Sequence, residues 1–430
     1  MSDVLKLAVA GLGTVGVGTL RLLQAHHDLI AARCGRRLLV SAVSARDRKK
    51  DRGVDLDGVR WFEDAGVMAA DSDVDVVLEL IGGADGIAKR VVETALAHGK
   101  PVVTANKALL AHHGTDLARA AETAGVALAY EAAVAGGIPI IKNLREGLAA
   151  NGVSRVYGIL NGTSNFILTT MRESGREFGE VLAEAQRRGY AEADPSFDVD
   201  GVDAAHQLAI LTALAFGCEV DFEGVYVEGI REVTALDINY AAELGYRIKL
   251  LGLSRVTDRG VEQRVHPSMV HLDAPIASIE GVFNAVVAEG DFVGSIMAEG
   301  AGAGAGPTAS AVVADVIDVA RGSRLPTYAV PAAELRRLPS IPIDEHQGSY
   351  YIRLMVLDQP GVIADVAAAL RDASISVEAM LQRGRAPGEA VPVVITTHET
   401  RESSMKQALD RIAGFDAVLE PPRLIRIEVL

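Results

Sequence analysis

Short apolar runs alternate with amphipathic stretches over the first third of the chain. Residues 4–10, VLKLAVA, form an apolar run that ends at a glycine, and a helical pattern follows over 16–32. β-rich runs recur at 38–43, 75–81, 101–105 and 126–134, with helical segments such as IAKRVVETALAHG between them. Strands of this length alternating with helices predict βαβ units and a parallel sheet, a Rossmann-type α/β domain over residues 1–150.

Beyond residue 150 the alternation loosens. VSRVYGILN and VEGIREV read as strands, and 178–188 and 201–216 as helices, which predicts an α+β domain over 151–306. The helix from 201 is apolar nearly all round from Leu208 to Phe216, the pattern of a helix buried on every side. A glycine-rich run, EGAGAGAG at 299–306, leads into PTASAVVADVIDVARG, with Pro307 near its start and Gly322 after its end. This helix, about 307–322, is expected to return to the first domain. Pro326, Pro331, Pro339 and Pro342 mark 323–348 as a linker. Residues 349–430 then run strand 350–357, helix 361–372, strands 374–381 and 391–397, helix 402–413 and strand 423–429, the βαββαβ order of a ferredoxin-like domain.

Composition narrows the class. Hydrophobic residues make up 49% and charged residues 23%, a soluble globular balance, and no apolar run reaches the ~18 residues of a membrane span. The opening MSDVLKLAVAGLG has neither the basic flank nor the cleavage site of a signal peptide. Cys34 and Cys218, the two cysteines, give no disulfide framework and no zinc spacing, so the expected compartment is the cytoplasm. A formal charge of −15 argues against a nucleic-acid partner, and no membrane partner is expected.

The candidate chemistry begins at GLGTVG, which follows a strand and opens a helix. Gly11 permits a tight turn, Gly13 lets a pyrophosphate approach the backbone, and Gly16 lets helix pack on strand; Thr14 and Val15 lie between them. The second strand ends at Ser44, where a site reading an unphosphorylated ribose usually carries Asp or Glu. Arg46, Lys49 and Lys50 follow, which suits a 2′-phosphate and favours NADP(H) over NAD(H). Lys107, in TANKALL, lies near the carboxyl end of a strand, the edge where open α/β sheets bind ligands. RGYAEADPSFDVDGVD gathers Glu192, Asp194, Asp198, Asp200 and Asp203 at the start of the buried helix. Asp200 reads as its N-cap and Asp203 as its third residue. Asp203 and Gln207, four apart, share one face that must meet something wet or charged, such as a substrate ammonium. His26–His27 and His112–His113 are neighbours that do not share a helix face, and neither cysteine stands where a nucleophile would.

GLGTVG, TANKALL, EAAVAGGIPI, NGTSNFIL, GYAEADPSFDVDGVDAAHQLAIL, ELGYRIKLLG and GAGAGPTASAVVAD, in this order, closely resemble homoserine dehydrogenase over residues 1 to about 325. VLDQPGVIADVAAALRDASISV resembles the opening of an ACT domain, whose amino-acid effector site would include Asp358 to Gly361. The resemblance implies NAD(P)-dependent interconversion of L-homoserine and L-aspartate 4-semialdehyde, a step toward threonine, methionine and isoleucine. It implies that Glu192 and Asp198 bind substrate, that Asp203 orients the reacting end, and that Lys107 lies beside the nicotinamide. Gly189 and Gly304 join the cofactor contacts. It also implies a sodium ion on Glu131 and carbonyls near Val134, Gly136 and Ile138, and a homodimer or homotetramer; the logic of the pathway makes threonine the expected effector.

The departure is Gln207, where the family has a proton-donating lysine. An amide has no acid–base chemistry near neutral pH. Three readings of Gln207 stand: a substitution that blocks turnover in an intact site, a natural variant in which Lys107 or a water on Asp203 moves the proton, and a non-catalytic amino-acid and dinucleotide sensor on the same fold.

Overall fold

The computed structural model describes residues 4–383 and 388–430. The first sheet comprises β1 (Val4–Ala10), β2 (Arg37–Ser44), β3 (Arg60–Trp61), β4 (Val76–Glu79), β5 (Val102–Thr104) and β6 (Leu128–Ala129). All pairings are parallel, in the order β3-β2-β1-β4-β5-β6. The order reverses between β1 and β4, so a crevice opens beyond their carboxyl ends. The expected helix over 16–32 is two helices, Thr14–Ala25 and His27–Cys34, and the run at 126–134 is a two-residue strand followed by a 3-10 turn at Glu131–Ala133. The helix after the glycine run, Ala305–Ala320, buries Val312, Val313 and Val316 in the core that holds Leu7, Val9 and Leu20.

The second sheet has eleven strands: β7 (Val153–Ile159), β8 (Tyr226–Val227), β9 (Tyr246–Thr257), β10 (Gly260–His271), β11 (Phe283–Gly290), β12 (Gly294–Ala301), β13 (Gln347–Leu357), β14 (Val377–Gln382), β15 (Ala390–Thr397), β16 (Thr400–Arg401) and β17 (Arg423–Glu428). Its main path runs β12-β11-β7-β9-β10-β17-β13-β15-β14. Only the first residue of VEGIREV, Val227, is in a strand, the two-residue β8 beside β10; residues 228–233 are loop and turn. On one face lies the Val202–Phe216 helix, buried at all positions but Val202 and Ala215.

The C-terminal unit has the expected βαββαβ order, with helices Val362–Asp372 and Glu402–Ala413, but it does not hang from a free tether. Its last strand, β17, pairs in parallel with β10 through Ser268–Arg426 to Val270–Glu428, which makes one continuous sheet. The proline-rich stretch is a packed strap. Tyr328 is buried, Thr327 O accepts from Tyr130 Oη at 2.7 Å, and Val261 exchanges backbone bonds of 2.9 Å with Pro339 and Ile341. Proline suits such a strap because its fixed φ lowers the cost of ordering an irregular segment.

Candidate active site

The turn after β1 is a cradle only glycine can make. Gly11 has φ +99°, and a Cβ there would sit 2.4 Å from Leu80 O. One at Gly16 would sit 2.0 Å from Gly11 O, whereas Gly13 faces open space. Gly13 caps the Thr14–Ala25 helix without a side-chain bond, leaving its first amides for an anion. Gly11 N donates to Ser44 O at 2.9 Å, which ties the turn to the tip of β2. Beyond Ser44 the basic loop is held over the turn by Arg52, whose Nε donates to Leu12 O at 3.3 Å and whose guanidinium lies 5.5 Å from the Trp61 ring centroid. Arg46 is exposed and makes no hydrogen bond or ion pair among the described residues. Gly304, with φ +114°, heads the returning helix, whose Ala305 O crosses Gly18 so closely that a Cβ there would lie 2.6 Å away. This cradle fits the pyrophosphate of a dinucleotide.

The reacting end is assembled from both domains. At the tip of β5, Thr104 Oγ1 donates to Glu79 at 2.7 Å, and the same buried carboxylate accepts from Ile81 N and Gly82 N at 2.8 and 3.1 Å. Asn106 then caps the Lys107–Thr123 helix, accepting from Leu109 N at 3.0 Å and donating to Gly83 O at 2.8 Å. Lys107 is thereby fixed as the first helical residue, and its Nζ reaches Asp203 at 2.5 Å. The charged group expected opposite the polar turn of the buried helix is thus, in the first instance, the protein's own lysine.

Asp203 is 5% exposed and fully engaged. Its second oxygen accepts from Asn161 Nδ2 at 2.9 Å and from Gln207 Nε2 at 3.0 Å, which bears out the shared face. Gln207 also donates to Leu160 O at 2.9 Å and accepts from Ala135 N at 2.8 Å. The expected capping box is absent, for a physical reason. The helix starts at Gly201, whose φ of +85° makes the turn, while Asp200 pairs with Arg231 and Asp203 turns to Lys107. Asn161 was not anticipated. It caps the Gly162–Ser174 helix through Ser164 N at 2.8 Å and gives its second amide hydrogen to Asp198 at 2.7 Å. Its position in NGTS at the end of a strand pattern was the available signal. Burial, aided by nearby Asp203 and Glu192, pushes the Asp198 carboxyl up. Glu192 is exposed on the loop after Gly189, and its carboxylate has no partner among the described residues.

Glu131 is buried, and its oxygens accept from Ile141 N and Lys142 N at 2.8 and 3.0 Å. Burial, with Asp315 close by, pushes it up to about 7. The following chain bends through positive φ at Ala135 and Gly136, wedged against the glycine-rich loop by Gly137 N donating to Ala301 O at 3.0 Å. Val134 and Ile138 flank the bend and are buried; Ile138 O accepts from Ile140 N at 2.7 Å. A carboxylate and backbone carbonyls are the donor chemistry of a hard cation, although both Glu131 oxygens and Ile138 O already accept backbone amides. His112 and His113 diverge, His113 to Asp85 at 2.9 Å and His112 to the rings of Phe222 and His206. Cys34 and Cys218 are buried, and burial pushes the Cys218 thiol up to about 11. In the C-terminal unit, Asp358 N donates to Glu389 O at 2.9 Å, and Gly361, at φ +100°, opens the Val362–Asp372 helix.

Three family models match in succession: "Homoserine dehydrogenase, NAD binding domain" over residues 11–131, "Homoserine dehydrogenase" over 139–317 and "ACT domain" over 350–414. The homoserine dehydrogenase of Neisseria gonorrhoeae is 46% identical over 431 residues, 99% of either chain. The crystal structure of a homoserine dehydrogenase from Thiobacillus denitrificans superposes with a TM-score of 0.93 at 45% identity, over 99% of this chain and 98% of that one. The chain belongs to the homoserine dehydrogenase family.

As a homoserine dehydrogenase it is an oxidoreductase with a nicotinamide-dinucleotide-binding domain and an ACT domain. A hyperthermophilic archaeal homoserine dehydrogenase in complex with NADPH, 26% identical, aligns with 75% of the chain at a TM-score of 0.64. Of the residues expected at this homoserine dehydrogenase site, Lys107, Asp203 and Gln207 form one bonded group, and Asp198 joins it through Asn161. Among the described residues no helix is long and apolar enough to cross a membrane.

Proposed function

We propose that this chain interconverts L-homoserine and L-aspartate 4-semialdehyde and that Lys107 moves the proton. The observation that carries the reading is the Lys107–Asp203 contact, which joins the carboxyl edge of the nucleotide-binding sheet to the acidic turn of the buried helix. The bound dinucleotide supplies or accepts the hydride. In the reducing direction the Lys107 ammonium donates its proton to the aldehyde oxygen, and in oxidation the neutral amine takes it back. Asp203 holds Nζ in place. Glu192, unpartnered and exposed beside Asp198, holds the substrate ammonium. Gln207 transfers no proton; it fixes Asp203 and Ala135.

Arg46 and the lysines after it support NADP(H), as does the NADPH complex of the archaeal relative. Glu131 and the carbonyls of Val134, Gly136 and Ile138 would hold sodium. The open loop from Asp358 to Gly361 would take threonine in the ACT domain. Exposed Phe283, Phe292 and Met297 on the β11–β12 hairpin support a homodimer or homotetramer, and the cytoplasm is the compartment this soluble enzyme fits.

The test is homoserine oxidation followed by NADPH absorbance. Lys107→Ala is expected to lower turnover by about 10²–10⁴-fold while dinucleotide binding survives. Gln207→Lys is expected to change turnover less than tenfold. Unchanged turnover in Lys107→Ala would remove Lys107 from the chemistry. A rise of about two orders of magnitude in Gln207→Lys would make Gln207 an impairment of a lysine mechanism. No hydride transfer in either protein would leave the sensor.

A further inference from the structure

The Val202–Phe216 helix carries Asp203, the partner of Lys107, at its N-terminal end, and a second cleft opens at the other, roughly 18 Å away by helix rise. The cleft has a volume of about 300 Å³, within the range that holds small organic ligands. Leu144, Leu148, Phe216 and Val330 form apolar walls, and two guanidinium groups, Arg145 and Arg336, line it as well.

Arg145 is the unusual member. Its side chain is 9% exposed, yet Nε has no hydrogen-bond partner among the described residues. Its one ion pair there is with the neighbouring Glu146 at 3.2 Å, itself 45% exposed. A guanidinium taken this far from water is costly unless its donors are used, and a carboxylate is the group whose paired oxygens match them. Two backbone features build the cleft around it. Residues Asn143–Gly147 form a π-helical turn, closed by Leu148 N donating to Asn143 O at 2.8 Å, a local widening that recurs at functional sites. On the opposite wall Ala329 adopts φ +62°, a conformation a residue with a side chain rarely takes. Arg336 donates to Phe216 O at 2.8 Å, which places a second cation at the helix's carboxyl end.

We propose that this cleft is a second small-molecule site, separate from the dehydrogenase site, that takes a small carboxylate with an aliphatic body. The carboxylate meets Arg145, with Arg336 beside it, and the aliphatic part lies on the leucine and phenylalanine walls. Because the site does not contain the reacting group, its occupancy is read as binding and does not depend on turnover.

The probe is isovalerate, titrated calorimetrically into the full-length protein, with the neutral isovaleramide as its twin. Saturable binding of one isovalerate per chain is expected, with isovaleramide about tenfold weaker or worse, since a hydrogen bond to a charged group is lost. Arg145→Gln is expected to weaken isovalerate at least as much. Ala149→Trp fills the cleft from an exposed position, keeps every charge, and is expected to abolish isovalerate binding while dinucleotide binding stays intact. Should Arg145→Gln fail to fold, the amide twin and Ala149→Trp decide alone. No saturation by isovalerate, equal binding of acid and amide, or binding that survives Ala149→Trp would each overturn the proposal.

Discussion

The amide of Gln207 accepts one hydrogen bond, from Ala135 N, and donates two, to Leu160 O and Asp203. A lysine there keeps the donations and strands the buried Ala135 N–H, a cost of about 1–3 kcal/mol. This is why Gln207→Lys is expected to lose stability without gaining rate. One position earlier, His206 is buried against Phe222, with ring centroids 4.5 Å apart. Burial, reinforced by His112, pushes it down from 6.5 to about 4. The unfolded chain therefore binds this proton at higher pH than the folded one. The contribution to stability is intact above pH 6.5 and is lost as pH falls toward 4. Urea denaturation is expected to show a loss of about 1–2 kcal/mol from this group between pH 7 and 5, and His206→Phe to remove it; an unchanged pH slope in that variant would refute the assignment. The pairing of Asp203 with Gln207 was legible in the sequence because four residues make one helical turn. Asn161 was not, since it lies 42 residues from Asp203 and only the tertiary fold brings them together.

Elements with clean periodicity were legible: the parallel strands, the returning helix and the βαββαβ tail. The β9–β10 hairpin was not, because β10 is buried at every position but its last and carries Glu262, Arg264, His266 and Ser268 inward. Arg264 and His266 meet Glu428 of the ACT unit, Glu262 meets Arg255 and His346, and Ser268 bonds His266, so the alternation that marks a half-exposed strand never arises. The turn from Glu131 to Ile138 shows the converse, a glycine pattern whose cause is a tight approach. A Cβ on Gly136 would lie 2.2 Å from Gly302 O. If this turn holds sodium, the melting temperature is expected to be higher in sodium chloride than in tetramethylammonium chloride, and Glu131→Gln to erase the difference. A difference that survives in the variant would exclude Glu131 as a ligand.

Across the whole molecule, sequence periodicity separates an ACT unit from the rest by a linker, and the packing removes that separation. Arg426, 3% exposed, bonds Glu402 and reaches Glu228 at 2.8 Å; Arg264 reaches Glu428 at 2.9 Å; Arg353 reaches Asp237 at 2.7 Å. Asp237 also caps the Ala235–Glu243 helix, so a strand of the ACT unit completes a cap in the substrate domain. Arg426→Ala leaves Glu402 buried without its cation, and calorimetry is expected to show a loss of about 3–5 kcal/mol, felt by both units at once. A melt in which the ACT unit alone shifts would contradict the shared sheet. The same sheet changes what a broken backbone means. Arg324 is exposed at the start of the strap, open to trypsin. A cut there severs the covalent path between the catalytic units and the C-terminal unit. The two fragments are nevertheless expected to remain zipped along β10 and β17, to travel as one particle through a gel-filtration column, and to part only in denaturant.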